Sequence, residues 1–474
     1  MEESLNEFNN IEVDPTKYGK AIVPMLYAIL LLTTLAFGAV DTIAAGALSI
    51  VAAAIVVLWA LDAWHKRHIN FSSSLLQLPL IGLILIGVVQ LLPMGAGDGV
   101  NGLLSIPASV SISSDAYATR IFVIRLIGLL VFFAAGLTFI NSKKRVRNTV
   151  VGIIVFGATI AFFGILQRLA DPEGIYGIRV AQQAIPFGPF VNQHHFAAFM
   201  EMTAGVTLGL LFGRSTDKDK RIFLIFAVVL MGIATVLTSS RGGMLSFLGV
   251  LTTVIVANYI RGKQLHGHSS ENYRGFVRKF AIAASGAALM LLIFGMVILL
   301  GGDQSLIRGI GLSGGAGDLT SGRTHIWNVA WQVFMENPIL GTGLDTFGVS
   351  YPRFDSTGGA MRVEMAHNDY LQILTDAGVV GFAMVAAFIF LLFKTSLAVI
   401  GKAKDGFRRG AATGALAGCF GILIHSFFDF PLRTYSNAYF FLILVVIATA
   451  TYSEPGRRRR VQVGEHADSG DEFR

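Results

Sequence analysis

Long apolar runs recur along the whole chain and are separated by polar connections. A helix of about 20 apolar residues crosses the hydrocarbon core of a bilayer, and helices satisfy their backbone hydrogen bonds internally in lipid. The pattern therefore predicts an all-α integral membrane protein with about 12 transmembrane helices. The expected spans are 21–40, 42–61, 75–93, 119–140, 149–167, 195–213, 222–239, 243–260, 280–300, 377–394, 411–428 and 437–452.

The basic residues give these helices a direction in the membrane. Every lysine and most arginines fall in alternate connections or in the two tails, and the positive-inside rule makes that side cytoplasmic. The other basic residues are all arginines: Arg120, Arg125, Arg168, Arg179, Arg241, Arg308, Arg323, Arg353, Arg362 and Arg433. Because arginine binds phosphate oxygens through a planar fork, this bias points to a phosphate-bearing ligand. Chance together with structural ion pairs explains it equally well.

The composition supports a membrane protein and argues against other classes. Hydrophobic residues make up 53% of the chain and charged residues 14%. The net charge of +7 lies mostly on the cytoplasmic rim, where it meets anionic lipid heads, so no nucleic-acid partner is expected. The single cysteine, Cys419, excludes an intrachain disulfide and a cysteine-based metal cluster.

The order of the apolar runs divides the chain into five segments. These are a cytoplasmic tail (1–20), transmembrane helices 1 to 9 (21–300), a large periplasmic loop (301–376), transmembrane helices 10 to 12 (377–452) and a disordered cytoplasmic tail (453–474). Long loops on a rigid scaffold tend to carry function, so the catalytic residues are expected in the periplasmic loop. The first part of that loop, 301–322, holds 8 glycines and is either a mobile lid or a disordered spacer.

Two helices are expected within the periplasmic loop. Trp327, Trp331 and Phe334 recur at helical spacing over 322–337, which predicts an amphipathic helix at the membrane interface. The tryptophans either anchor this helix, the favoured interpretation, or stack on sugar rings. A second helix is predicted over 363–376, and it would carry His367 close to the membrane boundary.

Histidines near the outer boundary are candidate general bases, because the imidazole side chain titrates near neutral pH. They are His194, His195, His325, His367 and His425. His367 is the preferred base, since it lies in the longest outer segment beside polar neighbours. A histidine that only satisfies hydrogen bonds at an interface is the commoner case for any single one of them.

Neither a metal nor a cofactor is expected at this site. The only Asp-x-Asp triplet is 217–219, in a basic cytoplasmic connection. A reaction without metal needs another positive charge for an anionic leaving group, and the outer arginines supply it. Arg241 stands at the outer end of a predicted span, where it is costly unless paired or facing a wet cavity, and the two glycines after it allow a bulky ligand to come close.

Six stretches of the chain, in this order, resemble the O-antigen ligase and Wzy-type polysaccharide polymerase superfamily. They are FGPFVNQHHFAAF (187–199), TSSRGG (238–243), GRTHIW (322–327), NPILGTG (337–343), AHNDYL (366–371) and HSFFDFPLR (425–433). The family often has Asn-Pro-Asn where this chain has Asn192-Gln193-His194. All six stretches fall on the predicted outer side.

The resemblance implies an inverting, metal-independent glycosyltransferase of the GT-C-like type in the bacterial inner membrane, with its active site facing the periplasm. It would transfer a glycan from undecaprenyl pyrophosphate to an acceptor hydroxyl, with His367 as the catalytic base. Arg241 and Arg179 would bind the pyrophosphate. Residues in supporting roles would be Asp369, Glu364, Arg323, His425 and Arg433, with Asp369 or Glu364 orienting the histidine.

Three functions compete with one another. The stretch 425–433 favours an exopolysaccharide or O-antigen polymerase, which would work with a flippase and a chain-length regulator. The alternative within the family is a ligase that transfers the glycan to lipid A core or to a protein. A transporter or flippase is less favoured, because carriers tend to place ionisable groups near the bilayer midplane, whereas apart from Arg125 the expected spans are nearly free of cations.

Overall fold

The computed structural model describes residues 16–94, 100–101, 106–107, 111–170, 173–181, 184–213, 218–266, 323–358 and 362–451. Within them the chain is helical apart from a short antiparallel hairpin of β1 (Val100–Asn101) and β2 (Ile106–Pro107) and two isolated bridges. The first eight helices are α1 (Lys17–Leu35), α2 (Thr42–Lys66), α3 (Gln77–Gln90), α4 (Ala116–Phe139), α5 (Lys143–Ala170), α6 (Gln193–Phe212), α7 (Lys218–Leu237) and α8 (Arg241–His266). They are followed by α9 (Arg323–Glu336), α10 (Phe347–Ser350), α11 (Asp369–Lys402), α12 (Gly406–His425) and α13 (Tyr435–Thr449), and by 3-10 turns at Phe37–Ala39, Tyr351–Arg353 and Pro431–Arg433.

This architecture confirms the prediction of an all-α, polytopic membrane protein. In the part of the chain that the structure describes, eight helices are long and apolar enough to cross a membrane, and α3 and α13 are shorter apolar helices. Each expected span overlaps a helix, except 280–300, which lies outside the described residues. The glycine-rich segment 301–322 and most of both tails also lie outside them.

The helices α6 and α12 pack with their backbones in contact. Gly205 and Gly209 on α6 face Gly414 and Gly418 on α12, and a Cβ atom added at Gly209 would lie 2.3 Å from the carbonyl oxygen of Gly410. Small residues at four-residue spacing allow such close approach between membrane helices. This contact brings two segments that are far apart in the sequence, the start of α6 and the end of α12, to the same place.

Polar connections lie at one end of the helical bundle, here called the outer end. In the described residues these connections are 91–94, 111–115, 173–181, 184–192, 238–240 and 426–434. The side-chain amide of Gln90 donates to the carbonyl oxygens of Leu340 and Asp376 and accepts from the backbone N–H of Leu344. It thereby ties the stretch 337–345 to the ends of α3 and α11.

The structure contains a helix, α9, where the sequence predicts one over 322–337, and its position at the membrane interface stays a prediction. Trp331 is half exposed, and its ring packs against Phe334.

The prediction of a helix over 363–376 is only partly correct, since α11 begins at Asp369. The side chain of Asn368 accepts hydrogen bonds from the backbone N–H groups of Tyr370 and Leu371 and so caps the helix. His367 therefore lies in the turn before the helix. Gly378, with φ 62° and ψ −162°, kinks α11 and separates a short outer part from the long apolar part.

Candidate active site

His367 occupies a constrained turn at the outer end. Its φ is 50°, a left-handed conformation that is uncommon for a residue with a side chain and that tends to occur at functional sites. Nδ1 lies 3.2 Å from Oδ1 of Asp429, and the ring packs edge-on against Phe430 with centroids 4.8 Å apart. One third of the side chain is exposed, so the ring is held from one side and accessible from the other.

Asp429 is the carboxylate that holds this histidine. Its side chain is 2% exposed, and Oδ1 also accepts from the backbone N–H of Phe430 at 2.9 Å. Burial raises the pKa of Asp429, but the hydrogen bond with His367 and the nearby His194 and Arg323 lower it more, so the pKa lies well below the usual range of an aspartate. The carboxylate is therefore ionised at neutral pH.

Arg323, the first residue of α9, contacts the carboxylate oxygen of Asp429 that does not contact His367. Its Nη2 lies 3.5 Å from Oδ2 of Asp429, an ion-pair distance rather than a hydrogen bond, and its Nη1 donates to the carbonyl oxygen of Phe428. Arg323 thus links α9 to the segment after α12. The sequence placed Arg323 among the supporting residues, and its contacts put it directly beside the His367–Asp429 pair.

The start of α8 lies beside this pair. Ser240 Oγ accepts from the backbone N–H of Gly243 at 3.1 Å, which caps the helix, and it lies 2.9 Å from Nδ1 of His194. A Cβ atom at Gly242 would lie 3.0 Å from Cβ of Phe428. Arg241 is the first residue of α8 and is exposed, so its guanidinium and the partial positive charge of the helix N-terminus occupy the same region.

His425 lies in the protein interior. Its Nδ1 is 3.3 Å from each carboxylate oxygen of Glu201, and both side chains are almost fully buried, at 1% and 0% exposed. Cδ2 of the ring would lie 3.2 Å from a Cβ atom at Gly242. The ring of His425 therefore packs against the start of α8. Its side chain is far less accessible to solvent than that of His367.

Two carboxylates that the sequence proposed as partners of the histidine have other partners. Asp369 accepts a hydrogen bond from Ser426 Oγ at 2.8 Å, and its backbone N–H donates to the carbonyl oxygen of Ser426. Glu364 pairs with Arg362 at an exposed position. Among the described side chains, the contact with His367 Nδ1 comes from Asp429.

Arg433 and Arg179 each bind aspartates. Arg433 lies 2.5 Å from Asp345 and 2.5 Å from Asp376, which ties the segment after α12 to the start of α11. Arg179 forms two hydrogen bonds with Asp41, at 2.5 and 2.9 Å, and its guanidinium stacks on Phe37 at 4.8 Å.

Arg179 reaches the site only indirectly. Gly38, next to Phe37, packs against Thr434, where an added Cβ atom would lie 2.9 Å from Cγ2. Thr434 Oγ1 in turn lies 2.6 Å from Nδ1 of His195. The ring of His195 packs against Phe430, on which His367 also packs. Of the two arginines expected to bind pyrophosphate, Arg241 begins the helix that lies beside the His367–Asp429 pair, whereas Arg179 is connected to this pair only through other residues.

Sequence reasoning missed Asp429 and Glu201 as site residues. Asp429 stands among aromatic residues in the stretch HSFFDFPLR, and Glu201 is the one acid within the apolar stretch 195–213. An acid in such surroundings near or within a membrane is costly unless it is paired. Both positions could therefore have been recognised from the sequence as carboxylates that need a partner. In the described part of the chain, no group of three or more His, Cys, Asp or Glu is arranged to hold a metal ion.

Comparison with known families identifies the central part of the chain. Residues 226–386 match the family model described as O-antigen ligase (Wzy_C). The match confirms the resemblance to the O-antigen ligase and Wzy-type polymerase superfamily. It includes Arg241, Arg323 and His367, whereas Asp429 and Glu201 fall outside it. A comparison with curated proteins finds no match.

Proposed function

We propose that this chain, which carries an O-antigen ligase domain, is an inverting glycosyltransferase that uses a glycan on undecaprenyl pyrophosphate as donor. Its acceptor is a hydroxyl group, and the reaction takes place at the periplasmic face of the bacterial inner membrane. The observation that carries the proposal is the contact between His367 and the buried, ionised Asp429, next to the cationic start of α8.

The contact defines the role of each nitrogen of His367. When Nδ1–H donates to Asp429, Nε2 of the neutral ring carries a lone pair and can accept a proton. The acceptor hydroxyl then loses its proton to Nε2 as its oxygen attacks the anomeric carbon, and the bond from that carbon to the pyrophosphate oxygen breaks. Asp429 stabilises the imidazolium that forms, as a buried carboxylate does in other His–Asp pairs.

The departing pyrophosphate needs positive charge, which Arg241 and the N-terminus of α8 supply in the proposal. Arg323 is a positioning residue, because it pairs with Asp429 and the carbonyl oxygen of Phe428. Arg433 and His425 maintain the surrounding framework through their carboxylate partners. The mechanism requires neither a metal nor a cofactor.

Glycan transfer from purified undecaprenyl-pyrophosphate glycan in liposomes tests the proposal. His367→Ala should remain inserted and bind donor but lose transfer by a factor of about 10²–10⁴, the usual contribution of a general base. EDTA should leave the wild type unaffected. Near-normal transfer by His367→Ala would reject the base assignment, and inhibition by EDTA that a divalent ion reverses would reject the metal-free mechanism.

Polymerase and ligase activity differ in their products. The stretch 425–433, which contributes Asp429, favours a polymerase, as the resemblance to exopolysaccharide members implies. A polymerase should convert lipid-linked repeat units alone into a ladder of longer glycans. A ligase should leave them unchanged until lipid A core or an acceptor protein is added.

The partners of Arg179 allow its proposed role to be tested separately. If Arg179 binds pyrophosphate, Asp41→Ala should raise donor affinity, because it removes a competing carboxylate. If the pair is only structural, Asp41→Ala and Arg179→Ala should both leave donor affinity unchanged. Binding of labelled undecaprenyl pyrophosphate measures the difference.

A further inference from the structure

An apolar cavity of about 200 Å³ lies between α3, α4, α11 and α13. Its walls are mainly aliphatic and aromatic side chains, including Leu83, Leu129, Val385, Phe388 and Leu442. The proposed chemistry at His367 does not use it.

One end of the cavity is polar. Asp369, Ser426, Arg125 and Arg433 contribute to its lining there. The charge of Arg433 is balanced by two carboxylates, and Asp369 is hydrogen-bonded to Ser426. The other cation of the lining, Arg125, differs from Arg433 in its surroundings, because it lies within the long apolar helix α4.

Arg125 is held without a carboxylate. Its Nη2 donates to the carbonyl oxygens of Leu432 and Arg433 at 3.2 and 2.7 Å, and its guanidinium lies 4.2 Å from the ring centroid of Tyr435. Among the described residues, no carboxylate lies within ion-pair distance of it. A charged side chain in a transmembrane helix is costly and commonly marks a binding site, and a guanidinium with spare donors favours phosphate.

The cavity and the active site share a wall. Asp369 lines the cavity and follows His367 by two residues, and Ser426 lines it and precedes Asp429. The segment after α12 is contacted at two different places. Gly242, next to Arg241 at the start of α8, packs against His425 and Phe428, whereas Arg125 donates to the carbonyl oxygens of Leu432 and Arg433.

We propose that this cavity binds the polyisoprenoid chain of the acceptor, a second lipid-linked glycan, and that Arg125 binds a phosphate oxygen of that lipid. The inference rests on the proposed function for the identity of the lipid. A cavity of about 200 Å³ suits part of a single hydrocarbon chain better than the paired chains of a phospholipid. A separate site for the acceptor lets both substrates remain in the membrane while the glycan of one reaches the pyrophosphate end of the other.

Native mass spectrometry of the purified full-length protein with undecaprenyl pyrophosphate tests the proposal. The wild type should bind two molecules. Val385→Phe, which fills the cavity, should bind one, and the matched variant Val379→Phe, on the exposed face of the same helix, should bind two. Two molecules bound to Val385→Phe, or only one bound to the wild type, would overturn the proposal.

Charge variants test the phosphate contact. Arg125→Gln should weaken binding of the second undecaprenyl pyrophosphate about tenfold or more, the loss expected for a charge-assisted hydrogen bond, and should leave binding of uncharged undecaprenol unchanged. Arg120→Gln, at an exposed position on the same helix, serves as control and should have no effect. Equal losses for both lipids would overturn the phosphate contact.

Competition and transfer assays separate the remaining outcomes. Displacement of the second lipid by an equal concentration of phosphatidylglycerol would identify a general phospholipid site and refute the proposal. A wild type that binds two molecules of undecaprenyl pyrophosphate and transfers no glycan would refute the proposed function and leave the lipid site standing. Normal transfer by Val385→Phe at low acceptor concentration would refute the inference alone.

Discussion

Replacement of Asp429 by asparagine tests the central contact of the candidate active site. Oδ1 of Asp429 accepts from the backbone N–H of Phe430 as well as contacting His367, so an asparagine oxygen can occupy the same position and hold the ring. Asp429→Asn then removes the negative charge with little change of shape. Any loss of glycan transfer should therefore come mainly from the missing charge beside His367.

The size of the effect follows from the burial of Asp429. With its side chain 2% exposed, water cannot replace the lost charge. A hydrogen bond to a charged group contributes about 1.5–3 kcal/mol, so glycan transfer should fall by roughly 10- to 150-fold at 1.4 kcal/mol per factor of ten. The assay is transfer from undecaprenyl-pyrophosphate glycan in liposomes, at matched protein levels.

Asp355→Asn is a matched control, because Asp355 contacts His325 at 2.9 Å and is equally buried. It should keep most of its activity. Wild-type rates in Asp429→Asn, or an equal loss in Asp355→Asn, would refute the assignment.

Two further predictions concern the leaving group and the topology. Arg241→Lys should lose about a hundredfold in transfer although the charge is kept, because lysine cannot form two parallel hydrogen bonds to phosphate; a normal rate at normal protein level would make Arg241 a structural residue. For the topology, Cys419→Ser provides a cysteine-free background for Ser356→Cys and Lys402→Cys, both at exposed positions. An impermeant maleimide added to intact cells should label position 356 and not 402, and the reverse pattern would put the site on the cytoplasmic side.

The sequence predicted the helices well because hydrophobicity alone determines membrane spans. It also singled out His367, whose role as the base stays a prediction, because this residue stands in the longest of the predicted outer segments. It did not identify Asp429, because the His367–Asp429 contact joins residues 62 positions apart and depends on how the segment after α12 folds back. The sequence predicted that this helix begins near Val363, because apolar residues occur from that position onward. In the structure α11 begins at Asp369, because the side chain of Asn368 caps the helix there.

The glycine contact between α6 and α12 has a consequence for biogenesis. During synthesis α6 enters the membrane long before α12 exists, so its glycine face meets lipid or other helices until α12 has been made. Membrane helices first insert and then associate. A chain interrupted before Gly406 would therefore insert most of its helices, and even carry His367, while lacking Asp429 and the partner that packs on α6. In the proposed mechanism, the candidate site is therefore complete only after α12 and the segment that follows it have been made.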